Sequence, residues 1–523
     1  MISKKGSNFD VILFTAEYYC DHPLSPAGVI AKVLDAKGFS VGVIEKPKTK
    51  ADFTRLGTPK LCFCVTSGSV DSMLNNYTPL KRKRSEDEHN IVTEMPDRAV
   101  IVYCNKIKEY CGKDIKIVIG GIEASLRRFA HYDYWDNDIR KSILLDSRAD
   151  ILVYGNGEKQ IIEIAKRLKN NKEITGIEGT CILCKDIDSS FELLPSFEEV
   201  NNDKIKFCRM HAAFSNSKNL AQEYDNNYVL QYRYPEYTPE YLDWLYSLDY
   251  SRKLKPGSLL EMAKFSVVTH RGCIGKCNFC SIALHQGDKI ISRTQESILA
   301  EIKKLTKHPE FKGYIDDLGG ASANMYGMDC KNKIKIKCMQ DCITCAKLDK
   351  SHGKIISLLR KARKIPGVKK IFIRSGIRYD LAVNSRKYIK EISEHHISGC
   401  LKIAPEHFSG KVLKLMNKDN SRFNEFVSVF ESLNKDKKQY LRYYLMICHP
   451  GDDENETMLL RGSISRLKNI EQFQIFTPTP MSISSCMYWT GLNPFTLEKI
   501  NVVWDYKTKK KLKRIILKCL GRK

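Results

Sequence analysis

Short apolar runs alternate with amphipathic stretches over the first 168 residues. Asp10-Val11-Ile12-Leu13-Phe14 is compact and apolar, which predicts a buried strand. The helix that follows takes Ser25 as N-cap and Pro26 at its first position, and stops at Gly38. Its apolar residues Val29, Ile30, Val33 and Leu34 share one face. Phe39–Ile44, Leu61–Val65, Ile115–Ile119 and Ile151–Tyr154 read as further strands, the last running through Gly155-Asn156-Gly157-Glu158 into a helix over Gln160–Leu168. Such alternation predicts an open parallel, Rossmann-like sheet with a ligand crevice at its carboxyl edge.

Residues 169–262 carry a weaker pattern rich in tyrosine (Tyr224, Tyr228, Tyr232, Tyr234, Tyr237, Tyr241 and Tyr246), and are expected to form a connecting segment packed on its neighbours. The period returns near Ala263. Lys264–Thr269 is a strand candidate leading into a cysteine loop, and Gln295–Lys307 reads as a helix with Ile298, Leu299, Ile302 and Leu305 on one side. Tyr314–Leu318, Lys370–Arg374, Cys400–Ala404, Tyr444–Cys448 and Gln472–Phe476 continue the series. Six strands over residues 263–495 predict a partial β/α barrel, a fold that places chemistry at the carboxyl ends of its strands. Residues 496–523 form a basic tail whose Leu512, Ile515 and Ile516 would dock a short helix on the barrel.

Composition narrows the classes. The 523 residues are 42% apolar, enough for a substantial core, which excludes disorder by composition. No run of about 18 apolar residues occurs, so no membrane span is expected. The amino terminus lacks an apolar signal region, which predicts a soluble cytoplasmic protein. The net charge of +25 fits solvated lysines along the chain and leaves nucleic acid as a candidate partner. The mixed-charge stretch Lys81–Glu88 reads as a solvated excursion. Nineteen cysteines without an export signal point to metal ligands rather than disulfides.

The strongest motif is Cys273-Ile274-Gly275-Lys276-Cys277-Asn278-Phe279-Cys280. Three thiolates on one short loop can ligate three irons of a 4Fe–4S cube and leave the fourth open. A structural zinc site normally closes with four protein ligands, for which His270 and His285 are the local candidates. Cys330, Cys338, Cys342 and Cys345 form a second candidate set, suited to Zn(Cys)4 or an auxiliary Fe–S cluster. Cys181-Ile182-Leu183-Cys184 sits in an apolar strand and reads as two buried neighbours in the core.

The Cys-x3-Cys-x-Phe-Cys loop after a strand resembles the signature of the radical S-adenosylmethionine (radical SAM) superfamily. Phe265–Cys273, Ser281–Gly287, Ile291–Arg293, Pro195–Val200 and Tyr488–Pro494 resemble its YgiQ-like family, with landmarks over nearly the whole chain. The resemblance implies an enzyme that binds S-adenosylmethionine at the open iron and cleaves it reductively to a 5′-deoxyadenosyl radical, using an electron donor such as a flavodoxin or ferredoxin. By motif position it assigns Gly319 and Gly320 to the methionyl amino group, with Ala321 where many relatives carry an acid. It assigns Ser375 to the ribose, and places Ile403 and Glu406 on a cofactor-facing strand with Phe279 as an apolar wall. It leaves the substrate and the catalytic residues unassigned. Cobalamin-binding domains precede many such barrels, and the glycines at 120–121 and 155–157 resemble theirs. Asp21-His22-Pro23-Leu24 does not match the cobalt-ligating Asp-x-His-x-x-Gly segment, and cobalamin stays an open expectation. The alternative of another class is a zinc-stabilised RNA-binding protein without catalytic activity.

Overall fold

The computed structural model describes residues 1–84, 94–330 and 341–519. Cys338 and Ser85–Glu88 of the sequence reading lie outside them. The chain divides into two compact units. The first comprises Met1–Glu236, Leu248–Glu261 and Thr479–Glu498, and the second Tyr237–Ser247, Met262–Pro478 and Lys499–Lys523. Among the described residues no helix is long and apolar enough to cross a membrane.

The strands of the first unit are β1 (Ile2–Ser3), β2 (Val11–Thr15), β3 (Val41–Glu45), β4 (Cys62–Thr66), β5 (Ile117–Gly120), a hairpin of β6 (His131–Asp133) and β7 (Asp138–Arg140), β8 (Ile151–Val153), β9 (Thr180–Cys184), β10 (Glu192–Leu193), β11 (Leu220–Tyr224) and β12 (Asn227–Gln231). All but the hairpin join one sheet in the order β1-β3-β2-β4-β5-β8-β9-β12-β11-β10. The run from β1 to β8 is parallel. Every residue of β2 and β4 is buried, as continuous apolar runs in a parallel sheet require. The helix Pro26–Asp35 begins where its cap predicts, the Ser25 hydroxyl accepting from the Gly28 N–H.

Residues 180–231 differ from the connecting segment expected of 169–262, because they extend the sheet by antiparallel pairing. The pattern hid them because β11 and β12 bury polar side chains. The Gln222 amide donates to the Pro195 carbonyl (2.9 Å) and accepts from the Ala130 N–H (2.9 Å), and Gln231 donates to the Ser215 carbonyl (2.9 Å). Thr479–Glu498, read with the barrel, folds in the first unit, where Trp489 stacks on Tyr132 at 4.9 Å. Cys181 and Cys184 are not buried neighbours. Three residues apart on a strand, they face opposite sides, so Cys181 is buried and Cys184 is half-buried.

The second unit carries β13 (Val267–Val268), β14 (His270–Arg271), β15 (Ile291–Ser292), β16 (Tyr314–Ile315), β17 (Leu318–Gly319), β18 (Lys370–Ile371), β19 (Cys400–Glu406), β20 (Tyr440–Ile447) and β21 (Ile470–Ile475). The pairs β13–β17, β16–β18, β19–β20 and β20–β21 are all parallel. Helices follow the strands, as in Gln295–Leu305, whose N-cap Thr294 accepts from Ser297 and whose Ile298, Ile302 and Leu305 are buried. The result is a partial β/α barrel. The basic helix Tyr506–Cys519 buries Leu512 and Ile516, and its Lys511 pairs with Glu454 of the helix Glu454–Ile464 at 2.5 Å.

Candidate functional site

The cysteine loop leaves β14 through Gly272, whose φ is +87° and where a Cβ would overlap the Lys289 carbonyl. Only glycine fits that turn. The Cys273 N–H then closes on the Gly287 carbonyl at 3.1 Å, while β14 and β15 pair across the loop's base. Its far side is pinned to the end of the helix Gly410–Met416. The Asn278 N–H donates to the Met416 carbonyl (3.0 Å) and its side-chain amide to Leu415 (2.9 Å), filling acceptors a helix end leaves open. Asn417 returns a bond to the Lys276 carbonyl at 3.0 Å. Sequence spacing thus becomes a rigid loop.

Cys273, Cys277 and Cys280 are half-buried on it, and Cys277 bears on the charge of both Cys273 and Cys280. Burial raises the Cys273 thiol above its ordinary range and pushes Cys280 up to about 12. Such thiols stay protonated on their own and ionise when a metal binds them. Arg378 donates to the Cys277 sulfur at 3.6 Å. The Phe279 ring turns into the apolar cluster of Val412, Leu413 and Met416, and its edge meets His449 at 6.2 Å.

The other residues singled out by sequence gather near this loop. Gly319, on β17, accepts the Thr269 N–H at 2.8 Å, and a Cβ there would overlap the Ser375 hydroxyl. At Gly320 a Cβ would stand 2.6 Å from the buried His270 ring. His270 engages Thr269 Oγ1 through Nδ1 at 2.8 Å, and its buried Nε2 has no hydrogen-bond partner. We expect Gly320→Ala to displace that ring and to cost about 1–3 kcal/mol in thermal unfolding, as overpacking does. A melting temperature equal to wild type would show that the ring yields freely.

Glu406 ends β19 beyond a register shift, with φ of +66°. A glutamate held there is strained by about 1–3 kcal/mol, a cost that tends to collect at functional positions. Burial raises its carboxyl pKa, opposed by Lys418 (3.9 Å) and Arg378, and Glu406 bears in turn on the Cys280 thiol. Sequence reasoning missed Asp317, Arg378 and Lys418. Asp317 Oδ1 accepts the N–H groups of Arg374 (2.7 Å) and Ser375 (3.1 Å), fixing the turn that carries Ser375. Its place just before Leu318-Gly319-Gly320 was the available signal.

Of the second cysteine set, Cys342 packs with Cys273 against the core of Ile274, Met325 and Met328, Cys345 is half-buried and Cys330 exposed. Among the described residues no three His, Cys, Asp or Glu side chains converge on a single ion position. At the carboxyl edge of the first unit's sheet, His22 is buried. Its Nδ1 accepts from the Leu24 N–H (3.1 Å) and its Nε2 meets Arg252 Nη1 (3.2 Å), so it does not fit a cobalt ligand.

Residues 1–267 match the family described as "Radical SAM N-terminal", and residues 471–520 match a domain of unknown function, DUF3362. A UPF0313 protein of Fusobacterium nucleatum is 44% identical over 97% of this chain and 96% of its own length. One from Methanocella arvoryzae is 44% identical over 94% of this chain and 87% of its own. Among solved structures, the radical S-adenosylmethionine methyltransferase TsrM of Kitasatospora setae, with cobalamin and a [4Fe-4S] cluster bound, superposes with a TM-score of 0.53 at 14% identity. That match covers 90% of this chain and 77% of TsrM. The cobalamin-dependent S-adenosylmethionine radical enzyme OxsB gives 0.50 at 11%, over 96% of this chain and 56% of its own. An open sheet and a partial barrel in this order, with this family match, define a radical SAM enzyme. Within that class, the chain belongs to the UPF0313 family.

Proposed function

We propose that Cys273, Cys277 and Cys280 hold a 4Fe–4S cluster and that S-adenosylmethionine binds beside it for reductive cleavage. When bound, the pair supplies a 5′-deoxyadenosyl radical for hydrogen abstraction from a substrate. The supporting observation is the rigid loop itself, which carries three half-buried thiols directly after the strands β13 and β14. Burial keeps the Cys273 and Cys280 thiols protonated, and ligation would release those protons. Gly319 and Gly320 keep the edge of β17 free of side chains, Asp317 positions Ser375, and Lys418 compensates Glu406, so these residues would hold the cofactor's polar groups. Phe279 anchors the loop in apolar packing and keeps water from its inner side. A low-potential donor such as a flavodoxin or ferredoxin would supply the electron. Cys330, Cys342 and Cys345 are proposed as part of a second metal site. No step uses cobalamin.

Anaerobically purified full-length protein, reconstituted with iron and sulfide, should be brown. With dithionite it should convert S-adenosylmethionine to 5′-deoxyadenosine. Colourless protein holding zinc alone, with RNA affinity falling steeply with salt, would overturn the proposal in favour of RNA binding.

A further inference from the structure

We propose that Arg378 is a positioning residue that sets the cluster's reduction potential by hydrogen-bonding the sulfur of Cys277. The inference rests on the cluster reading above and deepens it. Arg378 lies 101 residues along the chain from Cys277, yet its Nη1 reaches the Sγ at 3.6 Å. The guanidinium is nearly buried, and Asp380 holds it from behind, accepting from Nε at 3.0 Å and from Nη2. The two planes form a fork that aims the remaining N–H groups at the cysteine loop.

Two further features single out this contact. A Cβ on Gly275 would overlap Arg378 Nη1, so the glycine inside the cysteine motif is the space the guanidinium occupies. The φ of Gly275 is not positive, so its backbone does not require glycine; the space does. The backbone of Arg378 is also fixed independently of its side chain. Its N–H donates to Asn324 Oδ1 (2.9 Å) and its carbonyl accepts from Asn324 Nδ2 (2.9 Å), so trimming the side chain leaves the loop in place. Two other cations stand nearby among the described residues, and both are engaged: Lys418 with Glu406 at 3.9 Å, and Lys276 of the loop itself with Asp288 at 2.7 Å.

The step concerned is one-electron reduction of the bound cluster by a low-potential donor, in which no covalent bond is made or broken. Reduction adds one negative charge beside the ligand sulfurs. A cationic N–H donor on a sulfur stabilises that charge and raises the potential, as hydrogen bonds to cluster sulfurs do generally. Asp380 offsets part of the effect. The two residues therefore act in opposite directions, and a merely structural pair would not.

The test is an anaerobic redox titration of reconstituted full-length protein, followed by electron paramagnetic resonance of the reduced cluster, beside iron and sulfide analysis. Arg378→Gln should lower the midpoint so that the reduced-to-oxidised ratio at a fixed potential falls about tenfold, or about 59 mV for one electron. Gly275→Ala should shift it the same way by displacing the guanidinium. Asp380→Asn should shift it upward. Arg378→Lys should fall between wild type and Arg378→Gln. Wild-type protein that takes up no cluster would overturn the function proposed above. Full clusters with unmoved midpoints in the Arg378 and Asp380 variants would overturn this inference alone. A raised KM for S-adenosylmethionine at unchanged midpoint would also overturn it, assigning Arg378 to the cofactor instead. If Arg378→Gln fails to hold a cluster, opposite shifts in Gly275→Ala and Asp380→Asn support the inference, and shifts of one sign or none reject it.

Discussion

Cys273→Ala, and equally Cys277→Ala or Cys280→Ala, should abolish 5′-deoxyadenosine formation and the iron and sulfide that accompany it, while the chain still folds. The loop explains both halves. Each thiol is proposed to serve a different iron, so two sulfurs cannot retain a cube that three must hold with one position open. The loop's own geometry depends on other groups, including the Gly272 turn, the Cys273 N–H on Gly287 and the Asn278 bonds to the Gly410–Met416 helix. Alanine leaves all of them intact. The thiols are half-buried, so truncation opens a small gap and costs far less than a core deletion. Iron and sulfide assays with circular dichroism on the three single variants check this. Wild-type iron content and turnover in Cys277→Ala would remove the cluster from this loop. Any metal surviving in the triple variant would belong with Cys330, Cys342 and Cys345, and Cys342→Ala then tests that set.

The sequence was legible where local chemistry determines structure. Ser25-Pro26 opens its helix because hydroxyl capping and proline's fixed φ act within one turn. The apolar runs at Val11 and Cys62 become central strands because both faces are covered. The three thiols are legible because the loop is short. What escaped notice depends on distance or on backbone conformation. Arg378 and Cys277 meet only after the barrel strands pair, and nothing in Arg374–Asp380 marks the contact in advance. The left-handed conformation of Glu406 follows from a register shift between β19 and β20 that no residue type announces. Strands β11 and β12 were hidden because Gln222 and Gln231 mimic surface residues while their amides are satisfied inside the fold.

Acidification from pH 7 toward pH 4 should destabilise this protein steeply, because several histidines are buried where desolvation makes a ring charge costly. His352 shows the mechanism. Its Nδ1 faces the Lys350 carbonyl at 2.8 Å and must donate, while its Nε2 meets the Asn324 amide nitrogen at 3.2 Å and must accept. A second ring proton would face a donor. His211 has Nδ1 on the Phe207 carbonyl at 3.2 Å, and His407 accepts the Ser409 N–H through Nδ1 at 3.0 Å. Burial lowers all three from the ordinary value of 6.5 to about 4. Folded pKa values lie below unfolded ones, so between about pH 6.5 and pH 4 the unfolded chain binds more protons. The stability these rings contribute is complete above pH 6.5 and is lost as pH falls through about 4. A shift of this size is worth about 3 kcal/mol per ring, so together they rival the 5–15 kcal/mol that holds a typical domain. Asp452 runs the other way. Burial pushes its carboxyl up to about 7, so it stabilises below the ordinary carboxylate range and loses that contribution as pH rises through about 7. Burial raises Glu17, Glu123, Asp317 and Glu406 as well, but it lowers His131, His270, His396 and His449 like the three rings above, which leaves the acid side dominant. Urea unfolding followed by circular dichroism at pH 7.5, 6, 5 and 4.5 should show the midpoint falling continuously. A flat profile would mean that these rings are protonated or solvated in the folded chain. His352→Gln, which keeps an amide donor and acceptor, should flatten the slope by about one proton.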